Sequence, residues 1–356
     1  MKITREIASP LGPVAYTPDA AAAPLEGDDS GLTYGRYFEA LEAFVSADKF
    51  APLAQGLKAL GREGGLDGAR EVVLRAEKHG MLYHPASCTV RFPDAAPTFC
   101  VNVAVAPVAV DCLETECGLL EFLRGRFTPE FLPRPLACAR VDGLGMLLEE
   151  WFAGFHEFHQ DGAGRVRLWD FDAGERVLNA DEAAALYGEA ARILTRYFDP
   201  VTGASIGPWH HAAGDFVARA DGEGVTVRLV TARGHGAARA FTEAGPMAER
   251  LAGLSFFTNM TMRMRLDRVD GVGELVLAGP EVAPAIVAGF ARALGEREDV
   301  GDGGLGLLDF LGSFSAEELT GAGTQLMEPC PEEEQALLAA AWPGHAKALV
   351  AALAQI

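Results

Sequence analysis

Five strand-like segments and one helix-like segment follow one another between residues 70 and 150, and their order constrains the fold more than any other feature. The stretch REVVLRAEKHGMLYHPASCTVRF predicts two strands around a turn near His79, and the alternating, β-branched PTFCVNVAVAPVAV predicts a third. The apolar residues of DCLETECGLLEFLRGRF recur at helical spacing, and LPRPLACARVDGLGMLLEEWFAG predicts two more strands around an Asp142–Gly143 turn. We therefore expect the order strand, strand, strand, helix, strand, strand.

The segments on either side of this region have a different character. The first 30 residues are rich in Ala, Pro, Gly and Asp and predict an irregular arm, and helices then follow from about residue 34 and over 50–60. Residues beyond 160 are mostly helical, with helix-starting capping boxes at Asn179 and Ser315 and a β-hairpin near 215–233.

The length of 356 residues exceeds what a single hydrophobic core usually holds, so we expect more than one domain. The predicted division is an N-terminal arm with helices over 1–65, a small β-rich lobe over 66–150 and a helical lobe over 151–356.

Charge and cysteine pattern exclude several classes of function. A formal net charge of −20 repels phosphate backbones and anionic lipids, so we expect neither nucleic acid nor a membrane as a partner. The sequence shows no run of about 18 apolar residues and no signal-peptide pattern, which favours a cytoplasmic protein. The six cysteines show neither Cys-x-x-Cys nor zinc-ligand spacing, and predict neither a disulfide framework nor a cysteine metal site.

The predicted order of a small five-stranded lobe, with a helix after its third strand, and then a helical lobe resembles the protein-kinase-like fold. TECGLLEFL with FLPRPLACA is similar to the helix and following strand of aminoglycoside phosphotransferases and choline-kinase-like proteins, and MLLEEWFAG resembles the hinge between their lobes. The resemblance implies an α+β, two-lobed kinase-like fold: a five-stranded antiparallel lobe, a mostly helical lobe and an N-terminal helical extension. It also implies that Glu116 is the helix glutamate that pairs with a strand lysine.

The sequence departs from the motifs of active members of that family. The third strand contains no lysine, and Asn102 or Ala104 stands in its region. If GDFVAR occupies the place of the family's Gly-Asn-strand segment, Asp215 replaces the metal-binding asparagine and His210 stands at the base position. A shifted alignment makes Asp215 the catalytic aspartate instead. The metal aspartate of the next strand is replaced by Thr231 or Arg233, and no glycine-rich phosphate loop is visible.

The loop PWHHAAGDFVAR therefore holds the main candidate residues. His210 and Asp215 are the candidate catalytic residues, and Asp215 is also the candidate metal ligand, although its carboxylate has the alternative role of capping the loop. The candidate ligand-binding residues have polar or aromatic side chains near the predicted cleft, and they are Lys78, Glu116, Glu150, Trp209, His211 and Thr231. Lys78 has the alternative of a solvated hairpin tip, Trp209 that of a core residue, and His79 and His84 are further candidates for a metal site with His210 and Asp215.

Three functional hypotheses follow from these residues. The first is a degenerate, pseudokinase-type protein that binds a small-molecule ligand or a protein partner and has no ordinary phosphotransferase activity. The second is an atypical small-molecule phosphotransferase that uses ATP and Mg²⁺, a cofactor pair that the missing motifs argue against. The third is a hydrolase built on His210, His211 and Asp215, for which no Gly-x-Ser-x-Gly or His-Glu-x-x-His motif is present.

Overall fold

A computed structural model of the chain describes residues 1–9, 12–80, 82–128, 130–170, 174–207, 212–237, 241, 244, 247–297 and 302–356. The fold belongs to the α+β class and divides into two compact units. Unit 1 comprises residues 1–125 and 133–153, and unit 2 comprises residues 126–132 and 154–356.

Unit 1 is a mixed sheet with a long helix on each of its faces. Its elements are β1 (Lys2–Ile7), β2 (Val14–Ala15), α1 (Tyr34–Ala59), β3 (Glu71–Ala76), β4 (Ala86–Arg91), β5 (Thr98–Ala104), α2 (Pro107–Arg126), β6 (Pro135–Val141) and β7 (Leu144–Glu150). The seven strands are ordered β2-β1-β3-β4-β5-β7-β6, and β1 pairs with β3 in parallel while all other pairs are antiparallel. The five strands predicted between residues 70 and 150, with a helix after the third, are present as β3–β7 and α2.

The sheet is nevertheless larger than the predicted five antiparallel strands, because part of the predicted irregular arm forms β1. Ile3 lies opposite Val72 in the parallel ladder with β3. The helix α1 is also part of this unit, since Phe38 and Leu41 lie in the same buried cluster as Val101 of the sheet. A break at residues 47–50 divides α1 into the two helical segments that the sequence predicts.

The two faces of the sheet are covered differently, and this difference positions the candidate site. Phe99 and its neighbours at alternate positions of β5 point into the apolar cluster that α1 covers. The intervening residues point towards α2, because successive strand residues face opposite sides. The backbone of Gly145, which pairs with Ala104, lies close to Val110 and Leu113 of α2.

Unit 2 combines helices with short two- and three-stranded sheets, so it contains more strand than the mostly helical lobe that the sequence predicts. Its helices are α3 (Ala180–Arg196), α4 (Ala212–Asp215), α5 (Ala248–Arg263), α6 (Ala283–Gly295), α7 (Asp302–Gly312), α8 (Ala316–Leu326) and α9 (Glu332–Leu353). Its strands are β8 (Phe158–Gln160), β9 (Val166–Asp170), β10 (Gly174–Val177), β11 (Ala204–Ile206), β12 (Phe216–Asp221), β13 (Gly224–Leu229), β14 (His235–Ala237), β15 (Leu266–Arg268) and β16 (Leu275–Leu277).

The C-terminal helix α9 has 22 residues and, among the described residues, is the one helix long and apolar enough to span a membrane by length and composition. Its face carrying Leu338, Trp342 and Leu349 is buried, and α9 packs against α6 and α8. The Trp342 indole donates a hydrogen bond of 2.9 Å to the Thr320 carbonyl oxygen. These contacts within unit 2 account for the apolar composition of the helix.

Candidate functional site

Two buried glutamates lie on the α2 face of the unit 1 sheet. Glu116 of α2 is 2% exposed, and Glu149 near the end of β7 is 4% exposed. The Glu116 carboxylate accepts a hydrogen bond of 2.9 Å from the Tyr83 hydroxyl. Buried charged residues are rare unless they are paired or hydrogen-bonded, so this cluster is a specific feature of the unit.

Asn102 occupies the centre of the same cluster, on the third of the five predicted strands. Its Nδ2 donates a hydrogen bond of 2.8 Å to Oε1 of Glu149, and its Oδ1 lies 3.8 Å from the Cys100 sulfur. Burial and the neighbouring glutamates raise the pKa of the Cys100 thiol well above its ordinary value. The polar groups of this interior therefore include an amide, a phenol, a thiol and two carboxyl groups, and they form hydrogen bonds among themselves.

Burial, and then the adjacent Glu116 carboxylate, raise the pKa of Glu149 well above its ordinary value, against the opposing effect of the Asn102 hydrogen bond. A native state that retains a proton which the unfolded chain releases loses stability as the pH rises above the ordinary pKa of glutamate, about 4.3. We therefore expect Glu149→Gln to stabilise the protein at pH 8 by about 1 kcal/mol or more, and the gain to vanish near pH 4. Urea unfolding of both proteins between pH 4 and pH 8 measures this difference.

Glu121 provides the control for this prediction, because it is an exposed residue of α2. Glu121→Gln is expected to change the free energy of unfolding by less than about 0.5 kcal/mol across the same pH range. A Glu149→Gln protein that is less stable than the wild type at pH 8 would contradict the unfavourable burial of this carboxyl group.

The other two unit 1 candidates are Glu150, whose charge also contributes to the raised pKa of Glu149, and Lys78. Glu150 is half-buried at the end of β7, where its carboxylate accepts a 3.4 Å hydrogen bond from the backbone N–H of Arg134. Its backbone N–H in turn donates to the Arg134 carbonyl oxygen at 3.0 Å, so Glu150 fixes the entry into β6. Lys78 is exposed on the loop after β3.

Asp215 lies in unit 2, at the end of α4 and immediately before the β12–β13 hairpin. It is 4% exposed, and its Oδ1 accepts a hydrogen bond of 2.8 Å from Nη2 of Arg233. The backbone carbonyl of Asp215 accepts a hydrogen bond from the Val230 N–H at 2.9 Å. An arginine cation from the segment after β13 therefore neutralises the carboxylate that the sequence offers as a metal ligand.

The remaining candidates of unit 2 are Thr231 and the histidine loop. Thr231 is half-buried in the segment that follows β13, between Val230 and Arg233. Trp209, His210 and His211 lie outside the described residues.

The described histidines form no metal centre. The rings of His79 and His84 lie with their centroids 6.3 Å apart in unit 1. Within the parts of the chain that the structure describes, no three His, Cys, Asp or Glu side chains are arranged to hold a metal ion.

Unit 2 also carries a surface depression of about 310 Å³ beside β9. The arginine side chains that line it form ion pairs with neighbouring carboxylates. Asp161 accepts hydrogen bonds from Arg165 at 2.9 Å and from Arg167 at 3.0 Å, and Arg167 also donates to Glu175 at 2.7 Å. The backbone N–H groups of Arg165 and Ala163 also donate to Asp161, at 3.0 and 2.9 Å. Together with the arginine side chains they lower the pKa of Asp161 far below its ordinary value, against the effect of burial. Because Asp270 also lines the depression, three carboxylates face two arginines, so the depression offers no excess positive charge to an anionic ligand.

Tyr83, Cys100 and Glu149 are the members of the unit 1 cluster that sequence reasoning missed. The tyrosine belongs to a predicted turn, and Glu149 lies within the otherwise apolar run MLLEE. A charged residue at a strand position whose alternate neighbours are apolar was the available signal for Glu149, because such a position faces a covered side of the sheet. The chain matches no family model and no curated protein, so its function is inferred from its own residues.

Proposed function

We propose that this chain is a degenerate kinase-like protein that binds a ligand or a protein partner and has no ordinary phosphotransferase activity. The observation that carries the proposal is the hydrogen bond from Asn102 to Glu149. It lies on the third strand of the order strand, strand, strand, helix, strand, strand, where the kinase resemblance requires a lysine for the nucleotide phosphates.

The electrostatics of this position support the proposal. Phosphoryl transfer depends on neutralising the charge of the phosphates with cations. In unit 1, Glu116 accepts a hydrogen bond from a phenol, Glu149 accepts one from an amide, and the Glu116 carboxylate raises the pKa of Glu149 together with burial. Carboxyl oxygens, whether protonated or ionised, supply no positive charge, so these groups do not neutralise phosphate beside the strand on which the resemblance requires a lysine.

The environment of Asp215 in unit 2 supports the same conclusion independently. A carboxylate that holds Mg²⁺ must direct its oxygens at the ion. One carboxylate oxygen of Asp215 instead accepts a charge-assisted hydrogen bond from Arg233, which with Thr231 is one of the two residues that the resemblance offers in place of the second metal ligand. Binding of Mg²⁺ at Asp215 would have to displace this buried ion pair or compete with its positive charge.

Two measurements test the proposal. One is thermal unfolding with and without ATP, each in the presence and absence of Mg²⁺, and the other is an assay of ATP turnover. We expect no Mg²⁺-dependent turnover and no rise in the unfolding midpoint that requires Mg²⁺. A ligand at a hundredfold excess over its dissociation constant stabilises a native state by about 2.7 kcal/mol, which such a scan detects. A shift with ATP alone would identify a nucleotide as the ligand, and no shift would direct the search to protein partners.

The matched variants for this test are Asp215→Ala and Asp221→Ala. Asp221 lies at the tip of the same hairpin, with a side chain that is 43% exposed and paired with Arg219 at 3.1 Å. Mg²⁺-dependent ATP turnover that disappears in Asp215→Ala and persists in Asp221→Ala would overturn the proposal in favour of an atypical phosphotransferase.

A further inference from the structure

The helix α2 lies against the edge strand β6, and an ion pair fixes the register between them. Nη2 of Arg140 donates a hydrogen bond of 2.8 Å to Oε2 of Glu114, and its Nε donates to the other oxygen of the same carboxylate. The same Nη2 lies 3.0 Å from Oδ1 of Asp111, one turn earlier on α2. A bidentate arginine–carboxylate contact of this kind defines which residues of the two elements are neighbours.

This register brings two cysteines together. Cys138 precedes Arg140 by two residues, so both side chains lie on the same face of β6. Cys117 follows Glu114 by three residues, so both lie on adjacent turns of the same side of α2. Cys138 also pairs with Leu147, on the face of the sheet that α2 covers. Both cysteines are free thiols.

The two thiols differ in the way that a nucleophile and its resolving partner differ. Cys138 is exposed and Cys117 is half-buried. Hydrogen bonding from Cys117 lowers the pKa of Cys138, against the effects of burial and of the Glu114 carboxylate. The same hydrogen bond raises the pKa of Cys117, and so do burial and the nearby negative charges. The accessible thiol is therefore the one with the greater thiolate character.

We propose that Cys117 and Cys138 form a redox-active thiol pair that a hydroperoxide converts into a disulfide between α2 and β6. The Cys138 thiolate attacks the terminal peroxide oxygen, the O–O bond breaks, and the leaving alkoxide or hydroxide takes up a proton. The sulfur of Cys117, after losing its proton, attacks the resulting sulfenic acid, the S–O bond breaks, and the hydroxide leaves as water. In sum, the two thiols lose two hydrogen atoms and become a disulfide. An organic hydroperoxide is reduced to one alcohol and one water, and hydrogen peroxide is reduced to two waters.

The disulfide would tie the edge strand of the unit 1 sheet to the helix that carries Glu116. β6 is the last strand of the sheet, where it pairs with β7 and packs Leu136 and Val141 against the apolar cluster that α1 covers. The disulfide would add a covalent tie to α2 on the opposite face. A cross-link that closes a loop of about 20 residues restricts the unfolded chain, and it is expected to lower the unfolding equilibrium constant about a hundredfold.

Peptide mapping of the native, full-length protein after treatment with hydrogen peroxide tests this proposal. After alkylation of the remaining thiols, cleavage with trypsin and a glutamyl endopeptidase places Cys117 in the peptide 117–121 and Cys138 in the peptide 131–140. The expected product is a species that joins these two peptides, lighter than their sum by two hydrogen atoms and separated by dithiothreitol. The oxidised protein is also expected to unfold at a higher temperature than the reduced one.

Three variants make the result specific. Cys138→Ser and Cys117→Ser are expected to lose the cross-link and the rise in unfolding temperature, whereas Cys112→Ser, which removes another half-buried cysteine of α2, is expected to retain both. Because Cys138 is exposed, its replacement leaves the fold intact, which circular dichroism verifies. Oxidation of Cys138 to a sulfinic acid without the cross-link, or a disulfide that joins any other pair, would overturn the proposal.

Discussion

Replacing Arg233 with methionine is expected to lower the free energy of unfolding by about 3–5 kcal/mol. The side chain of Asp215 is 6% exposed and that of Arg233 is 24% exposed, so the ion pair between them lies largely outside bulk water. Methionine retains the apolar length of arginine and removes its charge, which leaves the Asp215 carboxylate buried without its cation. Urea unfolding at pH 7, monitored by circular dichroism, measures the loss.

The double variant Asp215→Ala with Arg233→Met separates the ion pair from the other contacts of each residue. If the pair is responsible, the double variant is expected to lose less stability than the sum of the two single losses, by about 2 kcal/mol. Arg219→Met is the matched control in the same hairpin, because the ion pair of Arg219 with Asp221 is about 44% exposed and is expected to contribute about 1 kcal/mol or less. Additive losses in the cycle would show that the two side chains act independently.

The local elements of the fold were predictable where neighbours in sequence determine them. The capping boxes at Asn179 and Ser315 are confirmed, with each side chain accepting a hydrogen bond from the backbone N–H three residues later. The order of β3–β7 and α2 is also confirmed, since alternation and helical spacing are properties of short windows. The hairpin after Asp215 forms with its turn between Asp221 and Gly224, as its glycine-rich turn predicts.

The features that the sequence did not predict depend on partners far along the chain. The strand β1 looks irregular by its composition, and it becomes a strand because β3 offers a parallel edge whose residues lie about 70 positions later. The pairing of Asn102 with Glu149 likewise requires two strands that are separated in sequence by α2 and β6. Periodicity indicates that a residue faces a covered side of a sheet, but it does not indicate which polar group lies opposite.

The contrast between local contacts and contacts from distant segments also explains which parts of the candidate site were predictable. The sequence singled out Asn102, Glu116 and Asp215 through their positions in a resembling motif. It did not predict that Tyr83 and Arg233 would be partners of Glu116 and Asp215, because Tyr83 comes from a predicted turn and Arg233 from the far end of a predicted hairpin. The hydrogen-bond partners of a carboxylate decide whether it is available for a ligand, and these partners could be identified only from the structure.

Replacing Gly289 with alanine is expected to destabilise the protein by about 3 kcal/mol or more, because it separates the two helices that pack most closely in unit 2. A Cβ atom at Gly289 of α6 would lie 2.0 Å from the carbonyl oxygen of Gly188 in α3. That neighbour is backbone and cannot rotate away, so α3 and α6 must move apart. The helix propensity of alanine recovers only about 1 kcal/mol of this loss. Thermal and urea unfolding measure the difference.

A graded series of glycine variants tests the helix crossing itself. A Cβ atom at Gly188 would lie 3.0 Å from the Ala285 carbonyl oxygen, so Gly188→Ala is expected to cost less than Gly289→Ala. Gly118 of α2 is exposed and has open space around it, so Gly118→Ala is expected to stabilise the protein by about 0.5–1 kcal/mol. Because α3 also packs against β13, loosening the crossing is expected to weaken the hairpin next to Asp215. A Gly289→Ala protein as stable as the wild type would show that α3 and α6 do not approach this closely.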